Sequence, residues 1–136
     1  MTDTDLQSLA ADVERDIQGY NSAFIRANLE ANPSLMRPWM RLPVSIFGNG
    51  SVAMLETPED VDAQYARGVE GLKGTGYARS ILSDFSIRLM NPTTALVECR
   101  AVRERSDGSV IAAFDACYIM ARSDDRWQVA SLISRR

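Results

Sequence analysis

The chain contains no histidine. That absence removes the Ser/His/Asp triad, the Cys/His pair, the imidazole general base and the commonest metal ligand. Any chemistry must rest on carboxylates, tyrosine, arginine or the one lysine, Lys73. Two constellations of such residues emerge from the strand pattern of the last third. The first is Glu98, Arg100 and Asp115. With Asp107-Gly108 as a two-residue type I′ turn, Arg100 falls opposite Asp115 on the neighbouring strand. This reads either as a cross-strand salt bridge, worth about 0.2–1 kcal/mol, or as carboxylates beside a guanidinium able to do acid–base work. The second is Tyr20, Trp39, Phe114, Tyr118 and Ser131, which read as core packing or as contacts to a ligand. Buried tyrosine hydroxyls need partners, so Tyr20, Tyr118 and Ser131 could supply the few polar groups that orient a molecule in an apolar pocket.

The elements that must position these residues follow from periodicity and punctuation. Thr94 to Ser134 reads as three long antiparallel strands. A turn centred on Asp124-Asp125 sets Tyr118 opposite Ser131. One face then carries Ala95, Val97, Cys99, Phe114, Ala116, Tyr118, Met120, Trp127, Val129, Ser131 and Ile133, and is almost wholly apolar. The other carries Leu96, Glu98, Arg100, Val102, Ile111, Asp115, Cys117, Ile119, Ala130 and Leu132. An apolar face demands a cover of helices, while the mixed face suits water and a second subunit.

That cover lies upstream. From about Asp5 to Ala31, apolar residues recur at steps of three and four, the mark of an amphipathic helix capped by Thr4 and ended at Asn32-Pro33. Ser34 caps a short second helix, and Val44 to Phe47 with Val52 to Leu55 flank Gly48-Asn49-Gly50 as a small hairpin. Thr57-Pro58-Glu59-Asp60 starts a third helix, with Val61, Tyr65, Val69 and Leu72 as its stripe. Tyr77 to Met90 resumes strand pattern, with Ile81, Phe85, Ile87 and Leu89 on one side and Asp84, Ser86 and Arg88 on the other.

Composition sets the outer bounds. A chain of 136 residues that is 46% hydrophobic buries a proper core as a single domain, 1–136. A net charge of −3 with arginines scattered along the chain makes nucleic acid and anionic membranes poor partners. The amino terminus shows neither a secretory signal nor a span, so the cytoplasm is the expected compartment. Cys99 and Cys117 fall on opposite faces and are expected to stay reduced. No glycine-rich phosphate loop is present, and neither cofactor nor metal is expected.

The order helix, short helix, hairpin, helix and long strands is an α+β arrangement. It resembles the nuclear transport factor 2-like superfamily, the SnoaL-like or ketosteroid-isomerase-like fold. The resemblance rests on the first helix ending in Tyr20 to Asn32, on Thr57 to Leu72, and on Tyr118-Ile119-Met120-Ala121-Arg122 through Trp127-Gln128-Val129. It implies a cone, in which a curved antiparallel sheet wraps about three helices and a pocket lies between them. Members include isomerases, cyclases, dehydratases, epoxide hydrolases and binding proteins. Tyr20 matches the helix tyrosine of the ketosteroid isomerases, whose late-strand aspartate falls near Tyr118. Their general base falls near Val44, which takes no proton. Glu98, Arg100 and Asp115 resemble the water-activating layout of limonene epoxide hydrolases. The expectation is a binding protein for a small apolar molecule, dimeric through the outer face, with a carboxylate-dependent enzyme using Glu98, Arg100 and Asp115 as the alternative.

Overall fold

The computed structural model describes residues 2–135. Helix α1 (Asp3–Leu29) leads through a short 3-10 helix (Pro33–Trp39) to β1 (Met40–Gly48) and β2 (Ser51–Leu55). Helix α2 (Pro58–Leu72) follows, then β3 (Tyr77–Asn91), β4 (Thr94–Arg105), β5 (Val110–Ser123) and β6 (Arg126–Arg135). The strands form one curved, unclosed sheet in the order β2-β1-β6-β5-β4-β3, with α1 laid across it. This is the expected α+β cone. Its pairings are antiparallel except for β1 beside β6, which run parallel. The β1–β6 ladder is interrupted between Met40 and Ser45, where Pro43 has no N–H to donate.

Caps set the helix ends. Thr2, rather than Thr4, caps α1, exchanging hydrogen bonds with Asp5 in a capping box. The helix stops two residues earlier than Ala31 because its end is a Schellman turn: the Asn32 N–H reaches the Ala27 carbonyl at 2.9 Å, and Ala31 adopts φ 51°. Alanine pays about 1–2 kcal/mol for that left-handed conformation, which glycine adopts freely. Ala31→Gly is therefore expected to stabilise the fold by about 0.5–1 kcal/mol, read as a higher urea midpoint at unchanged slope. Helix α2 begins as expected, with Thr57 and Asp60 in a capping box and Pro58 in the first turn.

Three bulges decide which side chains face the helices. At the β4–β5 turn, a hydrogen bond from the Gly108 N–H to the Arg105 carbonyl closes the loop Ser106-Asp107-Gly108. Only Gly108 has positive φ there, at 87°, so the turn is a three-residue loop rather than the expected two-residue type I′ turn. An extra residue, Ile111, then restores the register, and Arg100 still faces Asp115. In β3, Asp84 at φ 56° opens a bulge between Ser83 and Ser86. The phase flips there, so Leu82 takes the core position and Ile81, expected on the same side as Phe85, Ile87 and Leu89, is turned away from them and is 42% exposed. In β6 the extra residue is Ala130: Met120 pairs with Val129, but Ile119 pairs with Ser131 and Tyr118 with Leu132. A one-residue shift moves every later side chain to the opposite face.

The core sits between α1 and the sheet. Val13, Ile17 and Tyr20 of α1 are buried against Ala95, Val97, Phe114, Tyr118, Trp127 and Val129, the strand residues expected to face the helices. Asp16 pins the two layers: its carboxylate accepts the Trp127 backbone N–H at 2.8 Å and pairs with Arg15. Gly19 is required by a close approach, since a Cβ there would lie 2.2 Å from the Trp39 ring. Gly19→Ala is thus expected to destabilise by about 1–3 kcal/mol through overpacking, against the usual helix preference for alanine. Thermal unfolding checks the sign.

Candidate functional site

The curved sheet and the two helices leave one end of the core unfilled. A cleft of about 190 Å³ opens there between α1, α2 and the concave face of the sheet. Helix α1 contributes Tyr20, Asn21 and Phe24 from successive inward positions, and α2 contributes Gln64, Tyr65 and Gly68. The sheet supplies Ile46, Ser80, Leu82, Ala101, Arg103, Phe114, Tyr118, Leu132 and Ser134. Alternation along strands explains the sheet set: Ala101 and Arg103 of β4 stand two apart, as do Leu132 and Ser134 of β6 after its bulge.

The polar groups are ordered. The Tyr20 and Tyr65 hydroxyls are hydrogen-bonded at 2.8 Å, and the Tyr65 hydroxyl also approaches the Met40 Sδ at 3.8 Å. The Tyr118 ring meets Tyr20 edge-on at 5.7 Å. Asn21 donates to the Ser80 carbonyl at 2.9 Å, and the Ser80 and Tyr77 hydroxyls are bonded at 2.6 Å. The Arg103 guanidinium lies over the Phe24 and Phe114 rings, 5.1 Å from each centroid.

Burial controls the protonation of this set. Desolvation pushes the Tyr65 and Tyr118 phenols well above the ordinary 10.0, and raises Tyr20 and Tyr77 as well. Arg103 opposes the rise in each case without cancelling it. These are all four tyrosines of the chain. At neutral pH the cleft therefore presents phenols as neutral donors. A raised folded-state pKa means that stability is full below the unfolded value near 10 and falls as pH rises past it. Absorbance at 295 nm is expected to show little tyrosinate at pH 10 in the folded protein. The full tyrosinate signal should appear only on unfolding; a free titration at pH 10 would show the phenols to be solvated.

Of the residues that the sequence pointed to, Tyr20, Phe114 and Tyr118 meet at the cleft. Trp39 and Ser131 do not. Trp39 lies against Gly19, with the Arg126 guanidinium 4.3 Å over its ring. Ser131 was expected beside Tyr118, but the Ala130 bulge turns it to the far side of the sheet, where its hydroxyl accepts from Ser45 at 3.0 Å. Leu132 and Ser134 take its place at the cleft, and Leu132, expected on the outer face, faces the helices instead. Sequence reading missed Tyr65, read only as stripe, and Arg103, whose position next to aromatic residues exists only after folding.

The acidic constellation lies elsewhere. Arg100 and Asp115 form an ion pair at 3.3 Å with side chains 43% and 54% exposed. With Glu98, Asp84, Ser86, Cys117 and Arg135 they line an open groove on the outer face. A water-activating carboxylate needs desolvation beside its cation. The half-exposed pair does not provide it, and the carboxylate-enzyme reading is not favoured. Cys99 and Cys117 are free thiols, and burial pushes Cys99 up to about 11. Among the described residues, no three of Cys, Asp and Glu cluster as metal ligands. No helix among them is long and apolar enough to cross a membrane.

A cone of curved, unclosed mixed sheet wrapped over a long helix, with a cleft at one end, defines the nuclear transport factor 2-like class. The chain belongs to the family described as NTF2-like protein (DUF6841), which it matches over residues 11–136. Solved structures agree on the fold. Aln2 from a Streptomyces species superposes with a TM-score of 0.69 at 10% identity, covering 91% of this chain and 90% of that one. An NTF-2 like protein of unknown function from Shewanella oneidensis gives 0.66 at 14%, over 89% and 97%. A protein with a cystatin-like fold from Nostoc punctiforme gives 0.68 at 12%, over 89% and 88%. No curated protein matches the chain.

Proposed function

We propose that this protein binds a small apolar molecule in the cleft between α1, α2 and the sheet. The observation that carries the reading is a half-open apolar cavity of about 190 Å³ lined by three tyrosines. That volume is below the roughly 300–1,000 Å³ of drug-sized sites, so the occupant has one or two rings. Tyr20 and Tyr118 orient it and Phe114 packs against it, while among the described residues no Asp or Glu lines the cleft to act as a base. The test is mass spectrometry of organic extracts from the purified protein. A species recovered from wild type and missing from a variant with a blocked cleft supports binding. Extracts that match between the two, with no uptake of added small aromatics, overturn it.

The protein works as a homodimer in the cytoplasm on this reading, and its two free thiols suit a reducing compartment. The outer face exposes Ile81 (42%), Ile119 (38%) and Ile133 (37%) beside a groove holding both signs, Arg100 and Arg135 with Glu98 and Asp115. A patch carrying both charges complements itself across a two-fold axis, which makes a second copy its natural cover. Light scattering at micromolar concentration is expected to give a dimer, and Ile119→Arg a monomer. A monomeric wild type would remove this part of the reading.

A further inference from the structure

A second cavity adjoins the cleft, and one aromatic ring divides the two. It holds about 380 Å³ between the end of α1, the second half of α2 and the start of β3. Phe24 lines the cleft, and its ring meets Tyr65 of the cleft and Tyr77 of the second cavity edge-on, with centroids 6.3 Å apart in each case. One turn further along α1, Asn28 lines the second cavity and donates to the Phe24 carbonyl at 2.8 Å. On α2 the lining passes from Tyr65 and Gly68 at the cleft to Val69 and Leu72 at the second cavity. Gly68 places no side chain at that passage, and a Cβ there would meet nothing within 4 Å. The walls of the second cavity are apolar in their depth: Leu29 is 59% exposed on the α1 side, facing the gap with Val69 and Leu72. Glu70 and Lys73 mark its rim, paired with each other at 3.7 Å and with side chains 73% and 72% exposed. Protein interiors are ordinarily close-packed, so an apolar gap of this size beside a binding cleft is room for something else.

We propose that the second cavity takes the tail of the molecule whose head sits in the cleft, so that the ligand is a ring body carrying a short alkyl chain. The inference rests on the binding reading above and adds the chain. The cleft alone, at about 190 Å³, accommodates the ring body. A chain that passes Phe24 removes Leu29, Val69 and Leu72 from water, and each buried methylene adds to affinity. Phe24 is half-buried, and a change of its rotamer on the open Gly68 side admits the chain.

The test compares 2-naphthoate, a two-ring head without a tail, with 6-butyl-2-naphthoate by isothermal titration of the full chain. Both carry the same charged group, so the comparison isolates the alkyl chain. The butyl probe is expected to bind at least about tenfold more tightly, about 1.4 kcal/mol. Two variants place that gain. Val69→Trp fills the second cavity, and Leu29→Asp makes its wall polar at an exposed position that tolerates the change. Neither residue lines the cleft, so 2-naphthoate should bind both variants as it binds wild type, while the butyl probe should fall to within about twofold of 2-naphthoate. Wild-type affinities within about twofold of each other would overturn the tail site and leave the binding reading standing; this comparison needs no variant to fold. A butyl gain that survives in folded Leu29→Asp and Val69→Trp would overturn the assignment of the tail to the second cavity. Binding of neither probe at millimolar concentration would overturn both readings.

Discussion

Trp127→Ala is expected to lower the free energy of unfolding by about 3–5 kcal/mol, the usual cost of emptying a large aromatic site in a core. Trp127 is 0% exposed, and its strand joins β5 to β1 at the centre of the six-stranded order. The Asp16 carboxylate accepts its backbone N–H, and that bond survives the substitution, so the loss measures packing rather than polarity. Trp127→Phe provides the internal comparison. The indole Nε1 is buried without an acceptor among the described residues. An orphaned donor costs about 1–3 kcal/mol, and phenylalanine removes it while keeping most of the ring. The Phe variant should therefore lose less than about 2 kcal/mol. Urea unfolding of both reads the difference, and an Ala variant within about 1 kcal/mol of wild type would place the core elsewhere.

The second large effect is on binding. Gly68 sits inside α2 and lines the cleft, and a Cβ built on it meets nothing within 4 Å. Helix-interior glycine costs about 1 kcal/mol relative to alanine, so the chain gives up stability at a position bordering the open end of the cavity. Gly68→Trp is expected to fold at wild-type stability or better and to weaken 2-naphthoate binding by more than about tenfold, about 1.4 kcal/mol. Gly71 is one turn on, exposed, and equally open to a Cβ. Because it does not line the cleft, Gly71→Ala should bring the same helix gain with binding intact. Loss of binding in both variants would point to a general effect on α2 rather than to occlusion.

The fold was legible because its signals are local and redundant. The α1 stripe from Val13 to Tyr20, the Thr57 cap and the Asp107-Gly108 turn each indicate one element without knowledge of the others. The two-period alternation of β4 and β5 then placed Val97, Phe114 and Tyr118 inside, where they are. What could not be read was the bulges. Ala130 carries no glycine or proline to announce an extra residue, and the shift it introduces exchanged Ser131 for Leu132 and Ser134 at the cleft. Asp84 gave a weaker hint, since aspartate tolerates the left-handed region more readily than most residues. The parallel β1–β6 pair and the meeting of Arg103 with Phe24 and Phe114 are tertiary facts with no local precursor. The same holds for the Tyr20–Tyr65 bond, whose partners are 45 residues apart.

The central claim, that the cleft between the helices and the concave face is where a small molecule binds, is tested most directly by titrating 2-naphthoate into isotope-labelled protein and mapping the amide shifts. The account predicts perturbations centred on Tyr20, Arg103, Tyr118 and Leu132, saturating together and absent from the Gly68→Trp variant. Shifts confined to the outer groove around Glu98, Arg100 and Asp115, with the cleft residues unmoved, would contradict it.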